Sequence, residues 1–138
     1  MESFSIKSAS GVGILEFFDR LPADPNVPIE GFWTRITDLN ISAAAEVYAG
    51  YANEHPALLF VEMAQQWRGW PEELHWRSLE GELSLHCTQD RAGHVSIRVD
   101  LRSGPMEWNW SVHATIMSEA GQLDEMARRA VAFFGQPT

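Results

Sequence analysis

The sequence predicts an α+β protein: a mostly antiparallel sheet of about seven strands with two helices packed on one face, in the order ββββαβββα. Three observations carry this expectation. Between Leu79 and Arg102 two runs alternate apolar and polar residues with a period of two, joined by the loop QDRAG. From Leu123 to Phe134 apolar residues recur at the three- and four-residue spacing of a helix. Elsewhere, short alternating runs are separated by turns bearing glycine or proline. With 138 residues, 45% of them apolar, the chain is expected to form a single domain over 1–138. A chain of this length buries roughly 68% of the surface its unfolded form exposes, so it needs no disulfide or metal to hold a core.

Phe4 and Ile6 alternate with Ser5 and Lys7 in a short first strand, followed by the turn SASG. Val12 to Phe18 is apolar on both sides, as in a strand covered on both faces or one whose second face lies against a loop. LPADPNVPIEG holds three of the seven prolines and must be an ordered connection before a third strand, Phe32 to Leu39. Ile41 to Ala49 is ambiguous: AAAE favours helix, whereas Ala43, Ala45, Val47 and Ala49 alternate with Glu46 and Tyr48 as in an edge strand. We take it as a strand. A first helix is expected from a cap at Asn53, with Pro56 in its first turn, Ala57, Phe60, Val61, Ala64 and Trp67 on one stripe, and its end at Gly69. WRGWPEELHW then reads as a connection in which His75 is a loop residue, like His55, without an evident partner.

In the hairpin, Leu79, Leu83, Leu85 and Cys87 face inward on one strand and Val95, Ile97, Val99 and Leu101 on the other. Paired positions must therefore sum to 182 or 184. A sum of 182 sets Glu82 against Asp100. A sum of 184 sets Glu82 against Arg102, Ser84 against Asp100 and His86 against Arg98, and is preferred because it avoids the like-charge pair. It leaves Arg91, Ala92 and Gly93 as a three-residue loop with glycine at the bulge. After the hairpin, Trp108 to Met117 is expected to turn Trp108, Trp110, Val112, Ala114 and Ile116 inward. In the final helix Leu123, Met126, Ala127, Ala130, Val131 and Phe134 oppose Asp124, Glu125, Arg128 and Arg129.

Nineteen acidic against ten basic residues give a formal net charge of -9. Such a chain repels phosphate backbones and anionic membranes, so neither nucleic acid nor membrane is expected as a partner, and a basic protein is. The first 25 residues lack a basic start and an unbroken apolar run, so no leader or spanning segment is expected and the location is taken as cytoplasmic. The one cysteine, Cys87, falls on the inward face of its strand and reads as a buried small hydrophobe.

No cofactor, metal or catalytic motif is legible. The outward hairpin face carries Glu80, Glu82, Ser84, His86, Arg98 and Asp100, with His113 beyond; Arg98 is expected to lie between His86 and His113. Ser84, His86 and Asp100 lack a nucleophile elbow. Six tryptophans stand out. Trp67 and Trp76 are expected in the core with Arg68 stacked or paired nearby, and Trp70 as an exposed anchor beside Glu72 and Glu73. The candidate partner-binding residues are thus Trp70, Glu72, Glu73, Glu80, Glu82, His86, Arg98 and Asp100.

WRGW, WRSLEGELSL, DRAGHVSIRVDLR, the tryptophan-bearing strand and EAGQLDEMARRAVAFF together resemble a family of small acidic bacterial proteins of uncharacterised function, over residues 31 to 135. The resemblance implies a bacterial setting and no catalytic residues. Many proteins of this general kind are immunity proteins, which neutralise toxins delivered between bacteria. The expected function is therefore a non-enzymatic protein-binding module, an immunity or antitoxin-like inhibitor of a basic toxin or effector domain. The alternative is a small-ligand binder or enzyme with a pocket near Trp67 to Trp76, and a homodimer paired through an edge strand is a third possibility.

Overall fold

The computed structural model describes residues 2–9, 11–50, 54–104 and 109–137. Its elements run β1 Ser3–Lys7, β2 Ile14–Leu21, β3 Gly31–Asp38, β4 Ile41–Tyr48, α1 Pro56–Gln65, β5 Leu74–Arg77, β6 Leu83–Gln89, β7 His94–Arg102, β8 Ser111–Glu119 and α2 Leu123–Phe134, with one 3₁₀ turn, Ala120–Gln122, before α2. The class is α+β and the expected succession stands, with β5 added. The sheet, however, is two sheets. Each is a four-stranded antiparallel meander, β1-β2-β3-β4 and β5-β6-β7-β8. The break falls where α1 intervenes and packs against β5. β5 escapes detection because only Leu74 and Trp76 alternate with His75 and Arg77 before the chain turns again.

The ambiguous Ile41–Ala49 stretch is the edge strand β4. β6 and β7 pair with the sum of 184: Ser84 opposite Asp100, His86 opposite Arg98. Asp90 N–H donates to the His94 carbonyl, and Gly93 closes the loop at φ 85°, a left-handed conformation that glycine adopts without steric cost. Leu79 does not face inward. It lies 51% exposed in the turn between β5 and β6, because the strand starts only at Leu83. α1 is shorter than expected, ending at Gln65, and its cap is His55; the expected cap, Asn53, lies outside the described residues, as does Trp108. Trp110, expected inward, is partly exposed.

The inner faces of both sheets and the two helices share one core. Phe134 of α2 is its centre, with ring contacts to Phe4, Phe17, Phe32, Phe60 and Phe133 at centroid separations of 5.0–6.3 Å. Trp76 joins Phe32 from the second sheet. Cys87 is fully buried, and desolvation, with Glu73 adding to it, pushes its thiol up to about 12. That is an inert structural cysteine.

A bulge in β2 between Phe18 and Leu21, with Asp19 at φ 50°, turns Arg20 inward. Its guanidinium donates to the carbonyls of Pro22, Asp24, Val27 and Phe134. One buried cation thus orders the proline-rich connection and ties it to the end of α2. Thr34, fully buried on the inner face of β3, has no hydrogen-bond partner for Oγ1 among the described residues.

Two outcomes follow from these contacts. Thr34→Val removes an unanswered hydroxyl at constant shape; it should stabilise the fold by about 1 kcal/mol and raise Tm by roughly 3–5 °C in calorimetry. His55 Nδ1 accepts the Ala57 N–H at 3.1 Å, and burial followed by the Arg20 charge lowers the pKa of that imidazole. A base depressed on folding contributes fully above its unfolded pKa and loses that contribution as pH falls toward the folded one. Urea stability should therefore decline as pH falls below about 6.5, and His55→Asn should remove that component of the decline.

Candidate functional site

The outward face of the second sheet gathers ionisable groups by register. His75 stands opposite His86, His86 opposite Arg98, and Asp100 opposite both Ser84 and His113. The His75 and His86 rings stack at 6.2 Å, so His75 is a strand residue with a partner and not the loop residue expected. His86 Nδ1 lies 2.9 Å from Glu73 Oε1 and its Nε2 lies 3.6 Å from Asp100 Oδ2, while His113 Nδ1 lies 2.6 Å from Asp100 Oδ1. The group between His86 and His113 is thus Asp100. Arg98, expected there, pairs instead with Thr115 across β8, because β7 and β8 pair with a sum of 213.

This network is closed by its own hydrogen bonds. Glu73 and Asp100 are answered by imidazoles, with Arg98 alongside. The His86 hydrogen bond, and then the charges of His86, Arg98 and His75, hold the Glu73 carboxyl below the usual carboxylate range. Both nitrogens of His86 face carboxylates, which leaves none aimed at Ser84. No group of three or more His, Cys, Asp or Glu among the described residues is placed to hold a metal ion.

The remaining expected partner residues separate. Trp70 is in the core, its indole N–H donating to the Cys87 carbonyl at 2.9 Å, so it is no exposed anchor. The exposed indole is Trp67, at 53%, with the Arg68 guanidinium 5.1 Å from its ring. Sequence patterning exchanged the two because neither the helix end at Gln65 nor a carbonyl awaiting an indole is legible in it. Trp76 is buried as expected and donates to the Glu54 carbonyl. Glu72 and Glu73 are exposed beside Trp70. Glu80 is exposed, but Glu82 is 2% exposed and lies off the outward face. Gly81, at φ 78°, turns the chain just before it. Ser78 Oγ donates to Glu82 Oε1 at 2.7 Å, and the backbone N–H of Tyr48 donates to Oε2 at 2.9 Å.

That last bond joins the two sheets, and a cleft of about 780 Å³ opens beside it. β3 and β4 contribute Trp33, Ala44, Ala45, Glu46 and Tyr48; the second sheet contributes Glu80, Glu82, Ser103, Gly104 and Trp110. Trp33 and Glu46 are direct cross-strand partners. Among the described residues the lining holds three carboxyl groups, three large aromatic rings and no Lys, Arg or His. The nearest cations on the first sheet's outer face are committed: Arg35 pairs with Glu16 and sits over the Phe18 ring. Arg77 and Arg102 reach toward Gly81, where Arg102 donates to its carbonyl. Of the expected site residues, only Glu80 and Glu82 meet here. Trp33, Glu46, Tyr48 and Trp110 were missed, although the outward position of Trp33 and Glu46 in their alternating strands was a usable signal. Four depressions on the described surface are lined without Trp67, Trp70 or Trp76.

The chain belongs to a family of unknown function, DUF6228, whose model matches residues 6–137. No curated protein and no solved structure matches it. No helix among the described residues is long and apolar enough to cross a membrane.

The Glu73–His86 contact is directly measurable. In His86→Ala the Glu73 carboxyl loses its main stabilising hydrogen bond, and its titration midpoint in carbon-detected NMR should rise toward the ordinary value near 4.3. An unchanged midpoint would remove His86 as the cause.

Proposed function

We propose that this member of the family is a non-enzymatic protein-binding module, an immunity or antitoxin-like inhibitor that covers a basic surface of a toxin or effector domain. The observation that carries the reading is the cleft: the exposed carboxyl groups of Glu46 and Glu80 beside Trp33, Tyr48 and Trp110, with no cationic side chain among the described residues of the lining. Aromatic walls and acids together suit an arginine or lysine side chain, which gains ring contact and charge pairing at once. Interface energy concentrates where such anchors are desolvated. The net charge of -9 adds long-range attraction for a basic partner and speeds encounter.

The polar face of the second sheet is a poorer candidate, because Glu73 and Asp100 are already answered by His86 and His113. A partner there would displace bonds as well as make them. The alternative pocket near Trp67 to Trp76 is also less favoured, since Trp70 and Trp76 fill the core at that end.

The test is calorimetry against the product of the adjacent reading frame, at two salt concentrations. A complex should form at micromolar concentration or below and weaken as salt is raised. Glu46→Lys with Glu80→Lys should weaken it roughly 30-fold or more, the size of a hot spot of about 2 kcal/mol, while His86→Ala should change it little. Absence of a complex, or one indifferent to both charge reversals, would count against the reading.

A further inference from the structure

The cleft runs along a strand edge, and the register shows what that edge offers. Ala49 N–H donates to the Glu30 carbonyl, and β3 and β4 pair with a sum of 79. The hydrogen-bonded pairs are therefore Phe32 with Val47, Thr34 with Ala45 and Ile36 with Ala43. By alternation, Ser42, Ala44, Glu46 and Tyr48 turn their backbone groups away from β3, toward the open side. The Tyr48 N–H is taken by Glu82. The N–H and carbonyl groups of Ala44 and Glu46 have no hydrogen-bond partner among the described residues, and both residues line the cleft.

An uncovered strand edge is a template for another strand, and proteins ordinarily blunt or cover it. The first sheet's other edge is partly closed in this way. By the same alternation from the Ser8–Gly13 bond, Ser3, Ser5, Lys7 and Ala9 face outward from β1. There the Ala9 N–H donates to the Met117 carbonyl, while the Met117 N–H donates to Ser8 Oγ. Among the described residues, β4 is closed at its Tyr48 end alone. Beside its free part the structure leaves a cleft whose side chains are acidic and aromatic.

We propose that the partner enters this cleft as an extended basic segment that adds a fifth strand to the first sheet along Ala44 and Glu46. The inference rests on the reading of the cleft as the binding surface and specifies how that surface is used. Main-chain hydrogen bonds to residues two apart, about 6.8 Å along the edge, supply register. Alternate side chains of the segment then meet Glu46, Glu80 and the rings of Trp33, Tyr48 and Trp110, and arginine matches both carboxylate and ring. A second copy of this chain fits poorly, because it would bring Glu46 and a net charge of -9 against their own like.

The probe is a seven-residue acetylated and amidated peptide of alternating arginine and valine, with a version N-methylated at the backbone nitrogens of alternate residues and a second version methylated at the others. Peptide binding should slow amide exchange at Ala44 and Glu46 at least tenfold, and one methylated version should bind at least tenfold more weakly than the other. Ala44→Pro removes an N–H that does not pair with β3, so the β3–β4 ladder survives; it should weaken the peptide at least tenfold with an unchanged circular dichroism spectrum. Should the peptide bind and respond to Glu46→Lys and Glu80→Lys, yet ignore both Ala44→Pro and N-methylation, strand addition is overturned and the cleft reading stands. Failure of the peptide to bind at millimolar concentration overturns both. Light scattering that finds a wild-type dimer and an Ala44→Pro monomer also overturns it, by assigning the edge to a second copy.

Discussion

The carboxyl group of Glu82 fixes how the β4 edge of the first sheet sits against the second sheet. A buried acid left without partners costs several kcal/mol, and this one avoids that cost only by accepting the Ser78 hydroxyl with one oxygen and the Tyr48 backbone N–H with the other. The first bond stays inside the turn that carries it. The second reaches the outer edge of β4, so satisfying the acid requires the edge of one sheet to sit against the start of β6 in the other. The Gly81 turn makes this possible, since Cβ at that position would lie 2.7 Å from the Arg102 guanidinium and 2.9 Å from that of Arg77. The cleft lies beside this contact.

Arg20 plays the corresponding part on β2, at the same end of the first sheet. Its burial lowers its pKa, with Asp24 opposing the shift, yet four carbonyl partners distributed over the proline-rich connection and the end of α2 hold it there. The two charged groups act alike: each is buried where it can reach backbone atoms of a second element. The phenyl rings around Phe134 supply the bulk of the attraction but little direction, because aromatic contacts tolerate many angles. The hydrogen bonds of Glu82 and Arg20 choose which packing is adopted.

What the sequence disclosed follows from how local each feature is. The β6–β7 hairpin was legible to the residue because inward alternation limited the register to two choices and one of them set Glu82 against Asp100. Glu82 in fact leaves the outward face, but its carbonyl still accepts the Arg102 N–H, so the register held. α2 was legible because twelve residues repeat one period. The division into two sheets was not, since no residue of β4 announces that its far edge stays unpaired. Trp67 and Trp70 were exchanged for a related reason: which indole is buried depends on the Cys87 carbonyl seventeen residues away. The cleft was least legible of all. Its lining comes from β3, β4 and three separate turns or strand ends of the second sheet, and only Glu80 and Glu82 had drawn notice.

The contrast between the two acidic surfaces gives the functional argument its direction. On the second sheet's outer face, Asp100 and Glu73 each have an imidazole within hydrogen-bond distance, His113 across the β7–β8 register and His86 beside the start of β5. In the cleft, register pairs Glu46 with Trp33 and sets Glu80 on a turn, so neither acid has a basic cross-strand partner. A surface that gathers acids, aromatic rings and backbone groups without a hydrogen-bond partner among the described residues at one place carries a stability cost with no return inside the chain. Each of these three features is relieved by the same kind of contact, an extended cationic segment, and by little else of simpler chemistry. Their coincidence along one short stretch of β4 is what makes this edge, rather than the more conspicuous histidine face, the place where the fold is open to a partner.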